Sequence, residues 1–139
     1  MEIVDTVYLV AYFRPDDPLH SEAVMVVENL GRGRMVSQAA LVKLDLLMKS
    51  RGLTPLERAK TWSVLSKAID VDVVEPITPM DLLVSSRLSG RYAMDYFDSI
   101  IAAQCITRNA VPLTTDESIK NAVSKAEEVI SELRKAGLL

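Results

Sequence analysis

The chain reads as an α/β protein, a parallel sheet of about four to five strands with helices on both sides. Three observations predict this class. Short apolar runs of β type alternate with longer helical patterns along the whole sequence. Strands separated by helices require crossover connections, and crossovers are what parallel pairing needs. No internal repeat or low-complexity linker interrupts the alternation, and 139 residues suit one domain spanning 1–139 with a core large enough to fold without staples.

The elements follow in order. EIVD makes a short first strand ending at Asp5, and VYLVAYF carries apolar side chains on most faces, as a buried element does. Asp17 before Pro18 predicts an N-cap with proline at the first helical position, opening a helix through SEAVMVVENL that stops near Gly31. RMVS is a second short strand. Ser37 then caps AALVKLDLLMKS, a helix closed by Gly52 at its C′ position. Thr54, Pro55 and Glu57 form a capping signature leading into a helix that extends to about Lys67, and VDVVEP is the third strand. Thr78 and Pro79 repeat the cap-plus-proline start for MDLLVSSRL, which Gly90 is expected to break. A further helix covers roughly Ala93 to Arg108, and AVPLT is the fourth strand. The last helix, Glu117 to Lys135, places Ile119, Ala122, Val123, Ala126, Val129, Ile130 and Leu133 on one face.

Composition narrows the function. A formal net charge of −3 argues against a protein that holds nucleic acid mainly by bulk positive potential, so any such contact is local. The lone Cys105 forbids an internal disulfide, no secretory leader is visible, and an intracellular, cytoplasmic location is expected. No apolar run approaches the ~20 residues needed to cross a bilayer. With a single histidine, His20, and a single cysteine, a zinc site of the usual His/Cys type is unavailable. His20 reads as a surface residue and Cys105 as core.

Three aspartates stand in costly places. Asp5 and Asp116 each follow a predicted strand and so belong to the carboxyl edge of the sheet, where ligands of such sheets collect. Asp98 lies among Met94, Phe97, Ile101, Ala102 and Cys105 on the apolar side of its helix, and Asp95 sits one turn earlier on nearly the same face. Buried carboxylates must be paired or bind a cation. Taken singly, Asp5 and Asp116 serve equally well as helix caps, and Asp98 as a partner of Arg87 or Arg91. Taken together they suggest one site for a hard divalent cation, which takes oxygen ligands.

The chain resembles the PIN domain family, most of all the VapC-type toxins of prokaryotic toxin–antitoxin pairs. Three stretches carry the resemblance: VDTVYLVAYFRPDDPLHSEA, with Asp5 and Thr6; YFDSIIAAQC, with Asp98 followed by the small Ala102 and Ala103; and VPLTTDESI, with Thr114 and Asp116. They span nearly the whole chain in order and spacing. The resemblance implies a three-layer α/β/α fold and a metal-dependent endoribonuclease. Asp5, Asp98 and Asp116 would be the catalytic carboxylates, binding Mg²⁺ or Mn²⁺ to hydrolyse RNA phosphodiesters. Thr6 and Thr114 would orient them from behind, with Asp95 a weaker contributor. It also implies an antitoxin inserting a basic side chain into the acidic groove, and a homodimer, for which the helices before Gly90 offer an apolar stripe.

One position departs from the family. Lys43 stands where PIN domains usually carry a Glu, and Asp45 is about 200° away around the helix, so it cannot take over. Lys43 either points into the acidic site, as a counter-ion or a phosphate contact, or snorkels to solvent with Asp45 capping a neighbour. Arg87 and Arg91 precede the acidic helix and are candidate contacts to an RNA backbone. Trp62 belongs to core or interface. A haloacid-dehalogenase-like phosphatase is set aside because it needs a second aspartate two residues after the first, where Val7 stands. The rival function is a catalytically degenerate PIN domain that binds RNA or protein because Lys43 replaces the acid.

Overall fold

Ile3, Val4 and Val36 are fully buried in the middle of the sheet, which is why their strands lack polar alternation. The computed structural model describes residues 1–139. Strands β1 (Glu2–Val4), β2 (Arg34–Ser37), β3 (Val74–Glu75) and β4 (Val111–Leu113) form one fully parallel sheet in the order β3-β2-β1-β4. Eight helices flank it on both sides: α1 (Thr6–Tyr12), α2 (His20–Glu28), α3 (Gln38–Ser50), α4 (Pro55–Ala68), α5 (Pro79–Tyr92), α6 (Tyr96–Arg108), α7 (Glu117–Ser124) and α8 (Ala126–Lys135). The expected three-layer α/β/α class holds, with four strands. None of these helices is long and apolar enough to cross a membrane.

Local chemistry sets most helix starts. Ser37 Oγ accepts from the Ala39 amide at 3.1 Å to open α3, and Thr54 with Glu57 and Thr78 with Asp81 form capping boxes on α4 and α5. Gly52, at φ +86°, takes the left-handed conformation that closes α3.

Four boundaries differ from expectation. The Asp17 carboxylate accepts from the Leu19 amide at 2.8 Å, so it fastens a turn holding Pro18, and α2 begins only at His20 and ends at Glu28. In VDVVEP, Asp70 accepts from the Val71 amide and folds Val71–Val73 into a 3-10 turn, leaving two residues to pair at the sheet edge. Gly90 lies inside α5, because one glycine costs only about 1 kcal/mol in a helix; the chain turns at Ala93 instead, with φ +50°. The C-terminal helix breaks at Lys125 into α7, packed on α6, and α8, packed on α5.

The sheet order places β2 and β4 on opposite sides of β1, so a crevice opens at the carboxyl ends of β1 and β4. α6 is fastened over that edge by Gln104, which is wholly buried. Its Oε1 accepts from Ser37 Oγ at 2.6 Å, and its Nε2 donates to the carbonyls of Glu75 and Pro76 at 3.1 and 3.2 Å. At the far end of the same helix Arg108 donates to the buried Asp81 carboxylate through two nitrogens, at 2.6 and 3.0 Å. These ties fix where the first turn of α6, and with it Asp98, must lie.

Candidate active site

Register brings the first components together. Val4 pairs with Leu113, so Asp5 and Thr114 leave the sheet side by side, and the Asp5 amide donates to the Leu113 carbonyl at 3.1 Å. Thr114 Oγ1 donates to Asp5 Oδ2 at 2.6 Å while the Thr6 amide donates to Oδ1 at 2.6 Å. Both oxygens of this 4 % exposed carboxylate are thus held. Thr114 Oγ1 also accepts from the Asp116 amide at 2.9 Å, which couples the two strand-end acids. Thr6 donates its hydroxyl to the Ala40 carbonyl at 3.3 Å and so braces α1 against α3.

Asp116 is the N-cap of α7. Its Oδ1 accepts from the Ser118 amide and hydroxyl and from the Ile119 amide, leaving Oδ2 outside the cap. Asp95 is likewise the N-cap of α6, and Asp98 occupies the first turn that it caps. The cap reading and the shared-site reading are therefore compatible: capping sets the direction in which each carboxylate faces.

Lys43 reaches into this group from α3. Its Nζ lies 2.8 Å from Asp98 Oδ1 and 3.4 Å from Asp95 Oδ2, with the side chain 22 % exposed. The snorkelling alternative is thereby corrected, because the ion pairs with Asp98 and Asp95 hold the ammonium among the acids. Asp45 points to α4, where it accepts from Arg58 and from Trp62 Nε1 at 2.8 Å, so it has no place in the site. Arg87 and Arg91, the candidate contacts to an RNA backbone, both carry ion pairs in the fold. Both are tied to Glu132 on α8, and Arg91 to Glu128 as well. Asp98 accordingly pairs with neither arginine.

The acids titrate differently because their surroundings differ. Burial pushes the Asp98 carboxyl up to about 6, against the pull of Lys43 and with help from the charges of Asp5 and Asp95. Burial also raises Asp5, outweighing its bonds from Thr114 and Thr6. For Asp116 burial acts upward too, but the Ser118 and Ile119 donors, with a contribution from nearby Asp98, hold it below the ordinary carboxylate range. Burial would lower Lys43, yet Asp98, Asp95 and Asp5 together raise it.

Asp5, Thr6, Lys43, Thr115 and Asp116 line an open cavity of about 280 Å³ floored by Val7, Val10 and Leu47. Thr115 is a site residue that sequence reasoning missed; its place beside two motif positions was the available signal. The donor set, carboxylates and hydroxyls only, fits a hard divalent cation in chemistry. As arranged, no three Asp, Glu, His or Cys side chains stand close enough together to hold one, and an ammonium occupies Asp98 Oδ1. Binding an ion there requires Lys43 to move off.

Comparison with known proteins agrees with this architecture. The model of the PIN domain family matches residues 3–125. Among solved structures the chain is similar to VapC20 of Mycobacterium tuberculosis, described as a sarcin-ricin loop cleaving toxin, at 17% identity and TM-score 0.64, over 88% of this chain and 95% of that one. FitAcB from Neisseria gonorrhoeae matches at 14% identity and TM-score 0.66, over 89% and 94% of the two chains. VapBC2 from Rickettsia felis, solved with a DNA fragment from its promoter, matches at 12% identity and TM-score 0.62, over 87% and 92%. No curated protein matches the chain in sequence.

Proposed function

Since the chain belongs to the PIN domain family, we propose that it is an endoribonuclease hydrolysing RNA phosphodiesters at the acidic cavity with Mg²⁺ or Mn²⁺, and that it serves as the toxin of a toxin–antitoxin pair. The observation that supports this reading is that Asp5 and Asp116 line one cavity at the carboxyl ends of β1 and β4 together with Lys43, whose ammonium is bonded to Asp98. Asp5, Asp98 and Asp116 would hold the ion, which when bound supplies Lewis acidity toward the phosphoryl oxygens and a more acidic water. The chain's own residues do the rest. Thr114 and the Thr6 amide hold Asp5 in one rotamer, and the α7 cap fixes Asp116 with one oxygen outside the cap. Lys43, displaced from Asp98, would remain within reach of a substrate phosphate.

An antitoxin covering the cavity with a basic side chain, and a homodimer, belong to the same proposal; the toxin–antitoxin proteins of similar fold support the partner. Asp98→Asn should abolish Mn²⁺-dependent cleavage of a labelled RNA while leaving the protein folded. Cleavage that survives undiminished would show that the site is elsewhere.

A second reading rests on the Lys43–Asp98 pair at 2.8 Å: a PIN domain that has exchanged its catalytic ion for an internal ammonium and binds RNA or protein without cutting. Absence of Mn²⁺ binding that Lys43→Glu restores would favour it.

A further inference from the structure

We propose that single-stranded RNA enters the acidic cavity along the groove between α1 and α3, anchored through its phosphates by Arg14 and Arg51. The proposal rests on the ribonuclease reading and extends it to the path of the substrate. Asp5 and Asp116 line the cavity, and the one ammonium there, Lys43, is already paired with Asp98 and Asp95, so cations beside the cavity must hold a polyanion. Most arginines are already engaged. Arg34 pairs with Glu2, Arg58 with Asp45, Arg87 and Arg91 with Glu132, and Arg108 with Glu75 and Asp81.

Four arginines are without a carboxylate: Arg14, Arg32, Arg51 and Arg134. Arg32 lies in the turn before β2, and Arg134 on α8 beside Ile106 and Asn109 at the end of α6, so both belong to the opposite edge of the sheet. Arg14, just beyond α1, and Arg51, the C-cap of α3, line one groove of about 240 Å³. That groove shares Val10 and Leu47 with the acidic cavity, so the two are continuous. Arg51 stands about 12 Å along α3 from Lys43 at ~1.5 Å per residue, a span of about two phosphate steps along one strand.

The groove walls are largely apolar, from Val10, Leu44, Leu47, Met48 and Leu53, and its two unpaired guanidinium groups are what suit a nucleic acid strand. Guanidinium forks match phosphate oxygens in pairs, and the Phe13 ring, 38 % exposed in the same groove, offers a face on which a base can stack. A phosphodiester seated at Asp5 and Asp116 would pass its flanking nucleotides over this surface.

The test is binding of a fluorescein-labelled single-stranded RNA by the full chain in EDTA, followed by anisotropy over a series of NaCl concentrations. Arg14→Gln/Arg51→Gln should weaken binding and flatten the dependence of log K on log salt by about 1.4, since each single-strand phosphate no longer neutralised removes about 0.7 from the slope. Arg32→Gln/Arg134→Gln should leave slope and affinity as they are, and Phe13→Ala should lower affinity without changing the slope. Thermal melts confirm that each variant is folded. An unchanged slope in Arg14→Gln/Arg51→Gln, or an equal fall in both double variants, would overturn the proposal while leaving the ribonuclease reading intact. If Arg14→Gln/Arg51→Gln no longer binds a synthetic acidic amphipathic peptide that the unaltered chain holds, yet binds RNA as before, the groove belongs to a protein and the proposal falls. No RNA binding by the unaltered chain in EDTA would overturn the proposal, whereas the ribonuclease reading falls separately, on absence of Mn²⁺-dependent cleavage.

Discussion

Replacing Lys43 separates two effects proposed for it: its ammonium would stabilise the metal-free fold and oppose a divalent ion bound at the acids. Its Nζ sits 2.8 Å from Asp98 Oδ1, and Asp98 is only 6 % exposed. At ~4 Å and an effective dielectric of ~20 a unit pair interacts by about 4 kcal/mol, and a divalent ion held at that distance from the ammonium would be repelled by about 8 kcal/mol. Lys43 has a partly exposed, flexible stem and relieves much of this by swinging outward, at the cost of leaving its partner. A net penalty of about 1.5–3 kcal/mol on metal binding remains, or roughly 10- to 100-fold in Kd. Isothermal titration with Mn²⁺ should therefore show Lys43→Gln binding at least tenfold more tightly than the unaltered chain, and Lys43→Glu more tightly still. In EDTA the same Lys43→Gln chain should be less stable by about 2 kcal/mol, below the usual cost of breaking a buried pair because Asp98 can take up a proton instead. Equal or weaker Mn²⁺ affinity in Lys43→Gln, or an unchanged melting temperature in EDTA, would refute this role of Lys43.

Further expectations concern the neighbours. Thr114→Val removes the donor to Asp5 and the acceptor for the Asp116 amide, and should cost about 1–3 kcal/mol in urea unfolding together with about a tenfold loss of RNA cleavage. Arg108→Met leaves the wholly buried Asp81 without its cation and should cost about 3–5 kcal/mol, with RNA affinity in EDTA unchanged. The Asp98 carboxyl lies at about 6 in the fold against an ordinary 3.8, so its protonated form favours folding. That contribution is complete below about pH 4 and is lost as the pH rises through about 6. In EDTA, the melting temperature of the unaltered chain relative to Asp98→Asn should accordingly increase from pH 7 to pH 5; a difference that does not vary with pH would contradict the assignment.

What was legible in the sequence and what was not divide along physical lines. Ser37, Thr54 and Thr78 were readable as caps because a cap bonds to an amide two or three residues ahead. Asp5 and Asp116 were readable as rim residues because strand ends and helix starts meet there. The strand-end placement of Asp5 and Asp116 was therefore legible, whereas Lys43 was left between two readings, inward to the acids or outward to solvent. Whether Lys43 turns inward depends on Asp98, 55 positions away, and on how α6 is seated by Gln104, whose partner Ser37 is 67 positions away. Arg87 and Arg91 looked free for the same reason, since Glu132 on α8 lies 45 and 41 positions downstream and only the break at Lys125 turns it toward α5. Gly90 misled because a glycine weakens a helix without ending it when both flanks pack.

The most direct test is a crystal structure of the chain grown or soaked in Mn²⁺, read in anomalous difference maps. A Mn²⁺ peak bounded by Asp5, Asp98 and Asp116 is expected, with Lys43 Nζ moved off Asp98 Oδ1. No peak at saturating Mn²⁺, with Lys43 still bonded to Asp98, would contradict a metal-dependent site.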